Sequence, residues 1–188
     1  MIPLQLKRRC DFFAEWKDPK TVVHGKLELE RGYEMTEISQ VHMEDLWSVR
    51  RERLGNRWLI GIQNELPQSY EDEQRLFATL RSRRDEIQHQ TADPNTYMVI
   101  HDDGSKMTVA LMVSRIGEIP EGMVSLNLPE EEYEVFRFEE KHICSFWQYF
   151  CETDHRSKYG VNAAKARFET FNDTLQPNGV TEIYYPKE

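Results

Sequence analysis

Residues 69–113 have the sequence SYEDEQRLFATLRSRRDEIQHQTADPNTYMVIHDDGSKMTVALMV, which predicts one helix followed by two strands. Ser69 is a good helix cap, Asp72 follows at the third position, and apolar residues then recur at helical spacing. Pro94 lacks the backbone N–H that a helix interior needs. We therefore expect a helix over residues 69–88.

The two strands after this helix are predicted by apolar runs at residues 97–100 and 107–113. An Asp-Gly turn lies between them, which is typical of a β-hairpin. Residues 123–128 alternate between apolar and polar and continue the sheet.

The C-terminal third repeats this order of elements. We expect a strand at 133–138, a helix that begins near Lys141, a polar loop at 153–160, and strands at 166–172 and 180–185, the last after a Pro-Asn-Gly turn. A helix flanked by strands therefore occurs twice. This pattern predicts an α+β fold in which both helices pack on one face of an antiparallel sheet.

The N-terminal region gives a weaker pattern. Residues 1–32 mix charged and aromatic side chains without a clear period, and we treat them as an unassigned extension. From Tyr33 to Val49 the apolar positions are irregular, so helix and strand compete; we favour a strand. The folded domain is expected to span residues 33–188.

Composition excludes several classes of protein. The 188-residue chain has 24 Lys and Arg against 33 Asp and Glu, a net charge of −9, whereas nucleic-acid binding needs clustered positive charge. No apolar stretch approaches the roughly 20 residues that cross a bilayer, and the first residues do not resemble a secretory signal. Three cysteines do not form a disulfide scaffold. We expect a cytoplasmic protein without direct nucleic-acid or membrane binding and of unknown oligomeric state.

A metal site is considered because His142, Cys144, Cys151 and His155 lie within fourteen residues. The spacing does not match the usual ligand pairs of zinc sites, and buried thiols explain the cysteines better. The sequence also has no nucleophile elbow, phosphate loop or dinucleotide fingerprint. We therefore expect neither a metal nor a cofactor.

Aromatic residues are concentrated around one carboxylate in the C-terminal third, where twelve of the twenty-one aromatic residues of the chain lie within 53 residues. In a strand Phe168-Glu169-Thr170-Phe171 the side chains alternate, so Glu169 and Phe171 share a face. If that face is the interior, Glu169 is a carboxylate set among rings. If Phe168 and Thr170 face inward instead, Glu169 lies in water.

Four segments in this order resemble the GyrI-like small-molecule-binding domain, the effector-binding module of AraC-type and multidrug-sensing bacterial regulators. They are residues 128–136 (LPEEEYEVF), 143–150 (ICSFWQYF), 168–172 (FETFN) and 181–186 (TEIYYP). The resemblance implies duplicated β-α-β-β units with a ligand cleft between the halves. It places Glu169 at the bottom of that cleft as the counter-charge for a ligand, with Tyr133, Trp147 and Phe171 as aromatic walls. Phe171 departs from the tyrosine of many relatives.

The resemblance implies three alternative functions. The leading one is a cytoplasmic protein that senses or sequesters a hydrophobic, preferably cationic, small molecule and lacks a DNA-binding domain. The second is a hydrolase of strained-ring, cyclopropanoid genotoxins, in which Glu169 and Tyr133 would be the catalytic residues. The third is a module that contacts a protein partner through an acidic surface.

Overall fold

The computed structural model describes residues 43–67, 69–150, 153–175 and 179–188. Within these ranges the helices are α1 (Tyr70–Arg83), α2 (Ile143–Phe150) and α3 (Thr153–Ser157). The strands are β1 (Trp47–Leu54), β2 (Arg57–Glu65), β3 (Thr96–His101), β4 (Lys106–Val113), β5 (Val124–Leu128), β6 (Glu131–Glu139), β7 (Arg167–Phe171) and β8 (Val180–Pro186).

The strands form one antiparallel sheet in the order β1-β6-β8-β7-β3-β4-β2-β5. The unit β2-α1-β3-β4 is repeated as β6-α2-β7-β8, and the two units meet where β3 pairs with β7. Each unit is preceded by a strand that pairs with the other unit, since β1 joins β6 and β5 joins β2. The predicted α+β fold with duplicated β-α-β-β units is confirmed.

The sheet is curled, because strands far apart in its order are joined by short loops. β1 is an edge strand and β2 lies near the opposite edge, yet only Gly55 and Asn56 connect them. The side chain of Arg53 lies 2.8 Å from that of Glu130, which is in the loop between β5 and β6. The ends of the sheet therefore lie close together, and the sheet has an inner and an outer face.

Three apolar clusters pack the described residues together. The inner core lies on the inner face of the sheet and comprises Leu54, Leu59, Tyr97, Val99, Ala110, Leu128, Tyr133, Val135, Phe168 and Tyr184. The α1 core lies on the outer face and comprises Ile60, Ile62, Leu76, Leu80, Ile87, Met98, Ile100, Met107, Val109, Val113 and Met123. The α2 core is also on the outer face and comprises Trp47, Phe136, Phe138, Ile143, Phe146, Trp147, Phe150, Val161, Ile183 and Tyr185.

Helix α1 begins as its sequence predicts. The Oγ atom of Ser69 accepts a hydrogen bond from the backbone N–H of Asp72 at 3.2 Å, and acidic residues occupy the first turn. The α-helix ends at Arg83 rather than at residue 88, because residues 84–86 tighten into a 3-10 turn and His89 has a left-handed φ of 59°.

Two further predictions about secondary structure differ from the structure. The polar loop expected at 153–160 is wrong in its first part, since Thr153–Ser157 is helical. Only part of the strand expected over 33–49 lies within the described residues: Met43–Leu46 is a 3-10 helix, and β1 begins at Trp47. The extension 1–32 and most of the predicted Pro-Asn-Gly turn lie outside the described residues. In the part of the chain that the structure describes, no helix is long and apolar enough to cross a membrane.

Candidate functional site

The two repeated units meet on the outer face of the sheet, along the line where β3 pairs with β7. We call this line the seam and define it by Met98 on β3 and by Arg167, Glu169 and Phe171 on β7. The α1 core includes Met98, and the α2 core includes Ile183, the β8 neighbour of Glu169. The seam therefore lies between the cores that α1 and α2 cover.

Glu169 is buried at the seam with 5% of its surface exposed. It is paired in register with Met98 on one side and with Ile183 on the other, so apolar side chains flank the carboxylate across the sheet. Phe168 points to the inner face, where its ring stacks on Tyr184 at 4.4 Å. Neither orientation considered for this strand holds as stated, because Phe168 faces the inner core while Glu169, on the opposite face, is buried as well.

Phe171 shares the outer face with Glu169 and forms the α1 side of the seam. Its ring centroid lies 4.6 Å from that of Phe77 on α1, with the rings tilted by 59°. Phe171 and Phe77 are both half-buried, so this pair links the first helix to the strand that holds Glu169.

Trp147 forms the α2 side of the seam and is 3% exposed. Its indole packs edge-on against Phe146 and Phe150, and its Nε1 atom is buried with no hydrogen-bond partner in the described part of the chain. The guanidinium carbon of Arg167 lies 5.9 Å from the Trp147 ring centroid and 5.7 Å from that of Tyr185. The α2 side of the seam is therefore formed by Trp147 and Tyr185, with the Arg167 guanidinium lying against both rings.

Tyr133 is not at the seam. It belongs to the inner core, where its ring packs edge-on against Phe168 at 5.4 Å. The phenol is 1% exposed, and burial raises its pKa to about 12. The sheet separates Tyr133 from Glu169, so our expectation that the two line one cleft, or act as a catalytic pair in a hydrolase, does not fit this geometry.

Arg167 and Tyr185 are neighbours of the site that were not predicted from the sequence. Strand alternation gave a signal for Arg167, because it lies two residues before Glu169 and shares its face. Tyr185 could not be placed beside Trp147 without knowledge of how α2 packs on β8.

Side chains that can bind metal ions do not cluster among the described residues: no group of three His, Cys, Asp or Glu side chains there could hold an ion. The imidazole of His155 stacks on Tyr149 at 3.7 Å, and its Nδ1 atom lies 3.1 Å from the Tyr149 carbonyl oxygen. Cys151 lies outside the described residues.

Comparison with protein families identifies the chain. Residues 52–186 match the family model Cass2, described as integron-associated effector binding protein. The chain therefore belongs to this family, and the predicted relationship to GyrI-like effector-binding domains is confirmed. A comparison with curated proteins found no match.

Several solved structures are similar to this chain. The C-terminal domain of EcmrR superposes with a TM-score of 0.60 at 11% identity, covering 76% of this chain and 98% of that domain. The structure of SAV2435 bound to tetraphenylphosphonium gives a TM-score of 0.53 at 16% identity, with 75% of this chain and 94% of that one covered. The integron cassette protein VCH_CASS2 of Vibrio cholerae gives 0.47 at 12% identity, with 74% and 95% covered.

Proposed function

We propose that this member of the Cass2 family binds a small hydrophobic cation at the seam, with Glu169 as the counter-charge and Trp147 and Phe171 as aromatic walls. The observation that supports the proposal most directly is the burial of Glu169, which is 5% exposed between Met98 and Ile183. We further propose that the chain acts in the cytoplasm as a sensor or as a sequestering protein.

The physical basis is the cost of burying a charge. A buried carboxylate loses solvation, and a bound cation restores part of that free energy through an attraction that water screens only weakly. Aromatic faces add about 0.5–2 kcal/mol for a cation that lies against them. A lipophilic cation satisfies both features, whereas a small hydrated ion would have to lose its own water.

A relative of the same fold gives independent support. SAV2435 has been solved bound to tetraphenylphosphonium, which is a permanent cation surrounded by four phenyl rings. The similarity to this chain concerns the fold, and we take from it the choice of a first probe.

The test measures binding of tetraphenylphosphonium and of neutral triphenylphosphine oxide by calorimetry. We expect Glu169→Gln to weaken binding of the cation about tenfold or more and to leave the neutral compound nearly unchanged. Glu182→Gln is the matched control: Glu182 is 6% exposed on the neighbouring strand but lies on the inner face with Tyr184. Equal losses for both probes in Glu169→Gln would remove the electrostatic role.

A turnover assay with a strained-ring substrate tests the hydrolase alternative. A binder gives a stoichiometric complex, whereas an enzyme would release altered product from a strained-ring substrate over many cycles. The catalytic pair that we expected from sequence is not supported, because Tyr133 and Glu169 lie on opposite faces of the sheet.

A further inference from the structure

The seam has a second charged residue of opposite sign. Arg167 lies two positions before Glu169 on β7 and faces the same side of the sheet. Because a strand rises about 3.3 Å per residue, the Cα atoms of the two residues are about 7 Å apart. The seam therefore offers one negative and one positive side chain within the length of a small ligand.

The arginine does not neutralise the glutamate. In the described part of the chain Arg167 has neither an ion pair nor a hydrogen bond, and its guanidinium instead rests against the rings of Trp147 and Tyr185 at 5.9 and 5.7 Å. Arg167 is half-buried, so its donors are within reach of a ligand at the seam. The aromatic pair orders the side chain without using its five N–H groups.

Trp147 adds a further donor to the same group. Its indole Nε1–H is buried and has no hydrogen-bond partner among the described residues. A buried donor that stays unsatisfied destabilises the protein, and an acceptor supplied by a ligand would remove that cost. Arg167 and the aromatic ring that it lies against therefore both carry donors without hydrogen-bond partners among the described residues.

We propose that the seam is specific for amphoteric ligands, which present a positive group to Glu169 and a carboxylate or similar anionic group to Arg167. This inference rests on the function proposed above and adds to it the chemical class of the ligand. A guanidinium held in one orientation binds a carboxylate through charge-assisted hydrogen bonds, whereas for a simple cation it is a repulsive neighbour.

The test uses two probes that differ only in the anionic group. One is (4-carboxybutyl)triphenylphosphonium, with a phosphonium and a carboxylate, and the other is its methyl ester, with the phosphonium alone. Calorimetry at pH 7.5 should show that the wild-type protein binds the acid about tenfold tighter than the ester.

Variants of Arg167 should then change this preference in a defined order. Arg167→Gln should abolish the preference for the acid. It should also bind the ester about two- to threefold tighter, because the positive charge that repels the phosphonium is removed. Arg167→Lys should retain part of it, since a lysine keeps the charge but loses the planar contact with the rings. The control Arg115→Gln removes an equal charge from the exposed loop between β4 and β5 and should leave both affinities unchanged. Circular dichroism verifies that each variant is folded.

The outcomes separate the two proposals. If the wild type binds the ester in a Glu169-dependent manner but does not prefer the acid, the amphoteric specificity is wrong and the proposed function stands. A preference for the acid that survives in Arg167→Gln also contradicts the inference. If neither probe binds, both proposals fail.

Discussion

Phe168 and Glu169 are adjacent in β7 but point to opposite sides of the sheet. Phe168 is 1% exposed in the inner core, and Glu169 is 5% exposed at the seam. The register of β7 fixes this arrangement, because Phe168 is paired with Val99 and Glu169 with Met98 on β3. A slip of one residue would exchange the faces, so correct strand pairing is a condition for any role of Glu169.

The placement of the aromatic residues predicts a difference between two substitutions. Trp147→Phe should weaken binding of tetraphenylphosphonium by about 0.5–2 kcal/mol, because a smaller ring replaces the indole at the seam. Tyr133→Phe should leave the affinity unchanged, since that hydroxyl lies in the inner core. Burial raises the pKa of Tyr133 to about 12, so this substitution alters no charge at neutral pH. Parallel calorimetric titrations check the prediction, and a larger loss in Tyr133→Phe would contradict the assignment of faces.

Gly61 lies too close to the neighbouring strand to accept a larger side chain without strain. A Cβ atom at Gly61 would lie 2.0 Å from the carbonyl oxygen of Val109 and 2.6 Å from the Cβ of Ala110. We expect Gly61→Ala to destabilise the protein by about 2–4 kcal/mol or to prevent folding, because the clash involves backbone of the neighbouring strand. Gly55→Ala is the control, since nothing lies within 4 Å of a Cβ placed there. Urea denaturation of both variants is the measurement, and equal midpoints would argue against this strand packing.

A buried carboxylate on the inner face predicts how stability depends on pH. Burial of Glu182 opposes its ionisation, but hydrogen bonds from Arg50, Arg137 and Tyr184 outweigh that effect and lower its pKa. The donor atoms lie at 2.7, 2.8 and 2.9 Å from the carboxylate oxygens. Because the folded-state pKa is below the unfolded value of about 4.3, this stabilisation is complete above that pH. It is lost as the pH falls through the folded-state value.

Glu182→Gln should therefore lower the unfolding free energy by about 1–3 kcal/mol at pH 7, a range that allows for the partial exposure of both arginines. The variant should also lose less stability than the wild type between about pH 5 and pH 2. Denaturant titrations over this pH range compare the two proteins. Parallel pH profiles would mean that Glu182 titrates alike in the folded and unfolded states.

Substitutions of Phe146 and Phe77 should separate effects on stability from effects on ligand binding. Phe146 is fully buried and packs against Trp47, Phe136 and Phe138, so Phe146→Ala should cost about 3–5 kcal/mol. Phe77 is half-buried and contacts Phe171, so Phe77→Ala should cost less stability but weaken ligand binding at the seam. Thermal unfolding with and without tetraphenylphosphonium measures both effects. A larger loss of stability in Phe77→Ala than in Phe146→Ala would contradict the placement of Phe146 in the core and of Phe77 at the binding site.

The elements that the sequence predicted well are those with local signals. α1 has a capping serine and helical spacing, and the β3–β4 turn has an Asp-Gly pair. β2 was not assigned, because Leu59 to Ile62 is a continuous apolar run, buried on the inner and outer faces alike, and shows no alternation. The curl that buries both faces depends on contacts between distant strands, which a local pattern does not contain.

The candidate site was predicted in part. Strand alternation correctly grouped Glu169 with Phe171. The same rule, applied to β6, separates Tyr133 from Phe136 and Phe138, which are in the α2 core, and would have placed Tyr133 on the other face. The position of Arg167 against Trp147 and Tyr185 depends on how α2 packs on the sheet, so the sequence alone could not predict it.

The pairing of β1 and β5 with the opposite repeat limits how a ligand can reach the seam. Prising the two repeats apart would break the β1–β6 and β5–β2 pairings as well as the central β3–β7 contact. A strand that precedes each repeat pairs with the other repeat, so the two repeats cannot separate as rigid bodies without partial unfolding. Entry to Glu169 is therefore expected to require displacement of α1 or α2 above a rigid floor.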